Sequence, residues 1–589
     1  MQILTYPFSK EGQSLLSSSK RGHDWPVVYL INNDKELYIG ETQNAYVRFG
    51  QHLENAERKN LKQLHVILDD EFNKSAILDI EQSLIQLCMA ESKFRLQNLN
   101  GGQSCKHDYY QRERYLNKLD EIWDRLKSKK LCDATLEEIR NKDIFKYSPY
   151  NSLTEEQSQV CFDVISHMIK TLKEGKRGCA VINGGAGTGK TIVLISMLFK
   201  LVSACAFDAD DSDEDWDVSE YLRIKKLIAD YVREINLGQN GNHSGLKVGY
   251  VCPMTSLGNT MKKVFEATGH GLKGTMVLKP FEVASKGDYD VVFVDEAHRL
   301  TRRKNITAFF AFDSRVKEIG LDPNCASALD VIVAHSKYQV LVYDPEQSVK
   351  GSDLTNEQFE MAISKEDVIR RSLKTQMRCR GGQAYTDYLK AIFSCSASSY
   401  KKIEDYEFRL FDDADVMINA IKELDKKYGL CRNGAGYAWE WVSKKGAEQA
   451  KKAGIKGKKN VFDYILRHGL ADIHISGHDY VWNMTSEEFI LSENAVNEIG
   501  CIHTLQGYDL NYVGVILGKE IDYDPKGNRI TIDRSEFYDK KVKSGVDEET
   551  LKGYIVNSYR VMMSRGIRGC FVYACNPNMK KYLERFISK

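Results

Sequence analysis

Two sets of residues in this chain have the types and spacing for phosphate chemistry. The first is Gly184-Gly185-Ala186-Gly187-Thr188-Gly189-Lys190-Thr191, between the apolar run 180–182 and the apolar stretch 192–201. A GxxxxGKT loop that leaves a strand and opens a helix lets backbone N–H groups wrap phosphates, with Gly184, Gly187 and Gly189 permitting the close approach. Lys190 would reach the β- and γ-phosphates, Thr191 would give a hydroxyl to Mg²⁺, and the helix dipole favours the anion. Downstream, the apolar run 291–294 delivers Asp295 and Glu296. There Asp295 would hold Mg²⁺ through water, and Glu296 would orient or deprotonate the attacking water.

The second set is Tyr29, Tyr38-Ile39-Gly40, Arg48, His52 and Glu81. These groups suit cutting a phosphodiester: a base for water, a cation for the phosphate, a carboxylate for a metal. Glu81 would bind one Mg²⁺ or Mn²⁺, oxygen-seeking ions that keep most of their waters. Arg48 would stabilise phosphate charge through paired hydrogen bonds. Tyr29 is one choice of general base, with Tyr38 positioning water or phosphate. His52 is the other, since its pKa suits neutral pH.

Elements that position these residues are visible in the patterning. Residues 1–24 read as a polar lead-in. Within 25–105, the run 27–31, the turn Asn32-Asn33-Asp34-Lys35 and residues 37–39 read as a β-hairpin. Arg48 and His52, four apart, share one helix face. Ile77, Ile80, Leu84, Leu87 and Cys88 recur at helical period. Residues 106–147 are charged and helix-favouring, a connector ended by Ser148-Pro149. From 148 to 373, apolar strands alternate with Gly loops and amphipathic helices, and a second such block runs from 374 to 589. That alternation predicts an α/β chain with two parallel-sheet, RecA-like lobes behind a smaller α/β domain.

The chain has 589 residues, with 42% hydrophobic and 28% charged content and a net charge of +1. Several domains of ordinary globular composition are expected. No apolar run reaches the length of a membrane helix, and residues 1–13 lack a signal-peptide layout. The 14 cysteines are scattered with no CxxC pair, which points to free thiols in a reducing cytoplasm. The near-zero net charge conceals an acidic run at 208–220 and a basic one at 444–459. The acidic run reads as a solvated insertion, with an internal nucleic-acid mimic as the sharper alternative. The basic run reads as a loop contacting phosphates near the strand path, against a solvated lysine-rich helix face.

Beyond the phosphate loop, the wording of the chain resembles superfamily 1 helicases. Leu153-Thr154-Glu155-Glu156-Gln157 is similar to the adenine-reading Q motif, which makes Gln157 the reader. Tyr343-Asp344-Pro345-Glu346-Gln347 is similar to motif III, whose Gln347 would sense the γ-phosphate. Thr375-Gln376-Met377-Arg378-Cys379, Ile502-His503-Thr504-Leu505-Gln506-Gly507-Tyr508-Asp509 and Tyr559-Arg560-Val561-Met562-Met563-Ser564-Arg565 resemble motifs IV, V and VI. The resemblance implies that Arg378 and Arg565 supply charge to the transferring phosphate, with Arg568 as an alternative. Its details are most similar to bacterial Schlafen-type DNA/RNA helicases, over about 150–580. No large insertion splitting the strands is evident, so ATPase or translocase is the safer expectation than helicase.

The N-terminal set resembles the GIY-YIG nucleases, with valines in place of the first Gly and Ile; the resemblance implies that Glu81 is the family's metal-binding Glu and that Asn98 is its late catalytic-site Asn, with Asn100 as a competing choice. Together the resemblances imply an ATP-dependent or ATP-regulated endonuclease using ATP and Mg²⁺ or Mn²⁺. They also imply a nucleic-acid partner, DNA before RNA, no membrane, and a role in prokaryotic defence against foreign DNA. A homo-oligomer or a trigger protein is compatible. Two other readings stand beside it: a sensor nuclease held inactive by ATP, and a repair or remodelling motor whose N-terminal domain binds without cutting.

Overall fold

The first sheet begins at the second residue. In the computed structural model, which describes residues 1–18, 22–98, 109–151, 153–206, 220–238, 245–304, 306, 309–485, 489–492 and 494–588, strands β1 (Gln2–Pro7), β2 (Val27–Asn32), β3 (Glu36–Thr42), β4 (Gln63–Leu68) and β5 (Arg95–Leu96) pair in the order β1-β4-β2-β3-β5. The expected hairpin is present, with Tyr29 opposite Gly40 and Ile31 opposite Tyr38. The lead-in expected at 1–24 is instead part of this fold. β1 lies antiparallel to β4, from Gln2 opposite Leu68 to Pro7 opposite Gln63. Five of the six β4 residues are buried, and β1 covers what would otherwise be an unpaired edge.

Helices α1 (Lys10–Ser17), α2 (Ala45–Glu54) and α3 (Lys74–Glu91) flank the sheet. Asn44 and Asn73 start the last two by accepting from Val47 N at 3.1 Å and Ala76 N at 2.9 Å. The core of the domain gathers Leu16, Val27, Ile31, Phe49, Leu64 and Val66. The connector is helical, with α4 (Arg112–Ser128), α5 (Leu136–Asn141) and α6 (Asp143–Lys146). It is not a free-standing linker: α4 packs on α3, buries Leu119, Ile122, Trp123 and Leu126, and binds Asp79 through Arg112 Nε at 2.9 Å.

By its contacts the chain divides into two compact units. One contains Met1–Ile169, Thr191–Leu246 and Thr260–Val277; the other contains Lys170–Lys190, Lys247–Asn259 and Leu278–Lys589. The first thus includes most of helices α7 (Glu155–Lys173), α8 (Lys190–Ala206) and α9 (Glu220–Gly238), and the later part of α10 (Thr255–Thr268).

Two parallel sheets carry the second unit. β6 (Gly178–Gly184), β7 (Val248–Val251), β8 (Val277–Leu278), β9 (Tyr289–Val294), β10 (Ser336–Tyr343) and β11 (Asp367–Leu373) run in the order β11-β6-β10-β9-β7-β8. The pairs from β11 to β7 are parallel; β6, β10, β9 and β7 are largely apolar and buried, as suits strands covered on both faces, while β11 (DVIRRSL) is a half-exposed edge strand. Then follow β12 (Glu407–Leu410), β13 (Arg432–Ala435), the two-stranded ribbon β14 (Ile473–Ile475) and β15 (His478–Tyr480), β16 (Ile499–Gly500), β17 (Leu510–Leu517), the ribbon β18 (Ile521–Asp524) and β19 (Arg529–Ile532), and β20 (Gly566–Ala574). The second sheet has the parallel order β12-β20-β17-β13-β16.

Two expectations are corrected here. The basic run 444–459 is not one loop: helix Ser443–Lys452 takes up its first part, helix Lys458–Arg467 begins at its end, and only 453–457 lie between them; the two helices pack on each other and bury Ala450, Phe462 and Ile465. With the β14–β15 ribbon, they form an insertion between β13 and β16, where none was expected. The acidic run lies outside the described residues up to 219, as does Asn100.

Candidate functional site

In the N-terminal domain the hairpin and α2 bring Tyr29, Tyr38 and His52 together. Tyr29 Oη and His52 Nε2 are 2.6 Å apart, and both residues are buried. The Tyr38 ring centre lies 5.1 Å from that of His52 and 6.3 Å from that of Tyr29. Gly40 makes room for this pair. A Cβ there would stand 2.3 Å from Tyr29 Oη, so the residue facing Tyr29 across the hairpin must lack a side chain. Burial, then the neighbouring Tyr38, pushes the Tyr29 phenol well above its ordinary value; Arg48, bonded to it, and Arg58 act in the opposite direction. Arg48 also gives Nη1 to Gln51 at 2.9 Å.

Glu81 sits on α3, which packs against β2 and β3, and is 9% exposed. Among the described residues no three His, Cys, Asp or Glu side chains converge as a metal cage. A lone hard-oxygen carboxylate fits an ion that draws its other ligands from water and substrate phosphate.

Asn98 was expected among the catalytic groups, but the structure gives it a structural task. Its Oδ1 accepts from Ile39 N at 3.0 Å and its Nδ2 donates to Ile39 O at 2.7 Å, so it extends the sheet beside β3. Both amide ends are thereby committed to backbone.

The ATP-type site lies where β6, β10 and β9, adjacent in the sheet, end side by side. Ligands of parallel sheets bind at such carboxyl ends. Gly187 and Gly189 have φ of +85° and +79°, a left-handed backbone that bends the loop. Lys190 Nζ donates to Gly184 O at 2.5 Å and Gly185 O at 2.8 Å, and lies 3.4 Å from Asp344 Oδ2. Gln347 Nε2 donates to the same Asp344 oxygen at 2.5 Å. Asp344 thus joins the loop lysine to the expected γ-phosphate sensor. Thr191 follows Lys190 as the second residue of α8.

Asp295 is fully buried and accepts from Tyr250 Oη and from Glu296 N, each at 2.9 Å. Glu296 has φ of +51°, a strained conformation for a residue with a side chain, and such strain collects at functional positions. Its Oε2 lies 3.0 Å from His298 Nε2. Burial opposes its charge, but His298, Lys190 and Arg299 outweigh that and hold the carboxyl below its usual range. It is therefore an anion poised beside the phosphate loop.

The segment after β11 folds over this loop. Gln376 Nε2 donates to Ala186 O at 2.6 Å, and Met377 N donates to Gly187 O at 2.8 Å. Arg378 is bonded through Nε to Asp509. Arg299 pairs with Asp353 at 3.3 Å and bonds to Gln506. Arg560 meets Glu346, next to Gln347, at 3.3 Å. Arg565 is buried, with Nε donating to Val561 O at 3.1 Å. Arg568 lies over Tyr428, 4.4 Å from the ring centre, and packs in the second sheet's domain. Gln157, in the first turn of α7, accepts from Thr154 N at 3.0 Å and so caps its own helix.

Sequence reasoning did not single out Arg58, Asp344 or Gln376. The last two lie inside motif-like segments, where only their neighbours Gln347 and Arg378 carried a role. Arg58 had no signal, since its contact with His52 depends on the turn after α2.

A cavity of about 880 Å³ in the second unit is lined by Trp439, Trp441, Trp482 and Tyr538, with Lys350 and Lys444 among its cations. Trp441 and Trp482 lie 6.1 Å apart between ring centres, and Lys444 Nζ stands 5.5 Å from Trp441. Aromatic faces with cations at their rims are the surface on which unpaired bases stack.

Fold and site together define a two-part protein: a small α/β domain with a buried Tyr–His pair, and a P-loop domain with two parallel sheets. The Schlafen group 3 DNA/RNA helicase domain profile matches residues 177–576, and the GIY-YIG catalytic domain profile matches residues 26–93. The chain belongs to the Schlafen group 3 DNA/RNA helicase family and carries a GIY-YIG domain ahead of the helicase domain. It is also similar to an uncharacterised protein of Saccharomyces cerevisiae, 25% identical over 474 residues that cover 74% of this chain and 91% of the other. Among solved structures, the arterivirus nonstructural protein 10 helicase matches with 10% identity and a TM-score of 0.23, over 71% of this chain and 64% of that one. The Pif1 helicase from Candida albicans matches with 11% identity and a TM-score of 0.28, over 74% and 98%. No helix among the described residues is long and apolar enough to cross a membrane.

Proposed function

We propose that the protein is an ATP-dependent or ATP-regulated endonuclease, in which a P-loop motor grips nucleic acid and the N-terminal domain cuts it. The observation that carries this reading is the buried Tyr29–His52 pair, 2.6 Å apart, in the same chain as a loop lysine wired to Asp344 and Gln347. In the cutting step, water attacks phosphorus and passes its proton to a basic group of the Tyr29–His52 pair. The P–O bond to the leaving alkoxide breaks, and the alkoxide takes a proton from solvent. Arg48 bears the phosphate charge. Glu81 would hold Mg²⁺ or Mn²⁺, which supplies positive charge to the phosphate.

At the motor, Gly184, Gly187, Gly189 and Lys190 cradle the ATP phosphates, and Gln157 reads adenine. Thr191 and Asp295 would hold Mg²⁺, and Glu296 orients the water. A γ-phosphate at Lys190 takes over the contacts the lysine makes with Gly184, Gly185 and Asp344. Gln347, sharing Asp344, feels that exchange. Arg378 and Arg565 supply charge in the transition state only after leaving the partners described above. Unpaired bases stack on the half-buried Trp439 and Trp441, beside the buried Trp482, which supports a single-stranded track and suits DNA or RNA alike. DNA as target, a defence role, a cytoplasmic location and a trigger protein or second copy belong to the same proposal.

The test is cleavage of plasmid and of single-stranded oligonucleotides with Mg²⁺ or Mn²⁺. It is run without nucleotide, with ATP and with a non-hydrolysable analogue, for wild type, Glu81→Ala and Lys190→Ala. Cutting that needs Glu81 and hydrolysable ATP supports the motor-coupled nuclease. Cutting that is blocked by the analogue favours the ATP-held sensor. Absence of cutting on every substrate overturns both and leaves the remodelling motor.

A further inference from the structure

The motif residues leave one cation of the nuclease site without a role. Arg58 ends the short turn Ala56–Arg58, six positions after His52, and Asn55 fixes that turn by accepting from Glu57 N at 2.9 Å. Its guanidinium is placed by two contacts. Nη1 meets His52 Nδ1, and Cζ stands 3.8 Å over the centre of the Tyr38 ring. On the other side of the imidazole, Nε2 is 2.6 Å from Tyr29 Oη. His52 is 1% exposed, so protein groups and not water decide what each ring nitrogen does.

A guanidinium has five N–H donors, no acceptor, and a proton it does not lose. The nitrogen that faces it must offer a lone pair. Nδ1 is therefore unprotonated, and the neutral ring carries its hydrogen on Nε2. That hydrogen points at Tyr29 Oη, which accepts it. We propose that Arg58 is a positioning residue that locks His52 in the Nε2–H tautomer and makes it an obligate donor to Tyr29. His52 then has no free lone pair for a water proton. An imidazolium would have to set an N–H against the guanidinium. Tyr29 keeps its oxygen as acceptor, with His52 and the bonded Arg48 both ready to stabilise the phenolate. The choice between Tyr29 and His52 as general base falls to Tyr29: the phenol, the resting form that burial favours, first gives its proton to solvent, and the phenolate then takes the proton of the attacking water and is the phenol again. This consequence rests on the nuclease reading above; the tautomer does not.

The experiment reads the tautomer directly. Full-length protein is labelled with ¹⁵N in its histidine rings, and the His52 signals are identified by their loss in His52→Gln. The expected spectrum shows a lone-pair nitrogen at Nδ1 and a protonated nitrogen at Nε2. In Arg58→Glu a carboxylate accepts from Nδ1, and the two nitrogens exchange character. A wild-type spectrum with Nδ1 protonated, in either the neutral or the charged ring, overturns the proposal. In cleavage assays, Arg58→Met lowers kcat about 10²-fold with KM little changed, the scale of one misdirected proton transfer. Arg58→Lys, which can still only donate, recovers most of that loss. Equal kcat in Arg58→Met and wild type overturns the catalytic half. Should wild type cut no nucleic acid, the nuclease reading fails, while the ring spectrum still decides the tautomer.

Discussion

The nuclease centre and the ATP centre of this chain are wired on different length scales. Tyr29, Tyr38, Arg48, His52 and Arg58 fall within thirty residues, on one hairpin, one helix and the turn after it. The ATP centre joins distant segments: Lys190 to Asp344 across 154 positions, Gln376 to Ala186 across 190, Arg299 to Gln506 across 207 and Arg378 to Asp509 across 131. The first is held by packing of buried rings, which leaves few arrangements open. The second is held by ion pairs and hydrogen bonds that can exchange partners when a charged ligand arrives. A small site built locally suits one repeated proton transfer. A site built from distant strands suits a cycle in which nucleotide binding must be felt elsewhere.

The largest effect should come from the charge at the phosphate loop. Lys190→Ala is expected to reduce steady-state phosphate release about 10⁴-fold, in the range found for groups that neutralise a transferring phosphoryl. Its nuclease domain should keep the wild-type ring spectrum at His52. A spectrum that changes with Lys190 would mean that the nuclease centre is not locally built. Tyr29→Phe is the converse. Loss of Oη should lower cleavage about 10³-fold, while ATP hydrolysis stays within about twofold in a coupled phosphate assay. A parallel fall in both activities would mean that the distant wiring reaches the nuclease residues.

A third effect concerns how the local sheet is held. His65 on β4 bonds to Thr5 Oγ1 and Asn32 Oδ1, each at 3.0 Å, so it ties β1 and β2 to the strand between them. Burial, with help from Lys129, pushes its pKa down to about 4 from 6.5. The folded ring is neutral where the unfolded one charges. The stability it lends is present above pH 6.5 and is lost as the pH falls through about 4. That loss amounts to about 3 kcal/mol. Thermal unfolding of the N-terminal domain between pH 7 and 4 should therefore steepen with His65 present and flatten in His65→Gln. An unchanged slope would remove His65 as the clasp.

These differences follow the line between what the sequence showed and what it hid. The hairpin, the helix carrying Arg48 and His52, the loop GGAGTGKT and the strand ahead of Asp295 were legible because each is set by neighbours in the chain. Apolar runs bounded by turns specify strands, and Gly, Lys and Thr at fixed offsets specify a phosphate loop. β1 was missed because Gln2–Pro7 (QILTYP) shows no regular alternation of apolar and polar residues and gains its partner only from Gln63–Leu68. A helix at the basic run stood only as the alternative to a loop, and its buried face was not foreseen, because lysine counts say nothing about Ala450, Phe462 and Ile465. Asp344 and Arg58 were hidden for the same reason. One matters through a sheet order that puts β10 between β6 and β9, and the other through a turn that brings it back onto His52.

The smallest effect separates chemistry from scaffold within the nuclease domain. Asn98 stands where a catalytic amide was expected, yet both of its polar ends serve Ile39, the residue beside Gly40 on β3. Asn98→Ala leaves a buried N–H and a buried C=O without those bonds, which costs about 2 kcal/mol of local stability. Amide exchange of peptides spanning Glu36–Thr42 should then speed by about 30-fold, since roughly 1.4 kcal/mol corresponds to tenfold. Cleavage should fall only a few-fold, because Tyr29 keeps its partner His52 and loses only some stiffness in the strand that carries Gly40. A 10³-fold fall in kcat with unchanged exchange, about the size expected for Tyr29→Phe, would move Asn98 from the scaffold to the chemistry. The local site would then include the strand that follows α3 as well as the hairpin and α2.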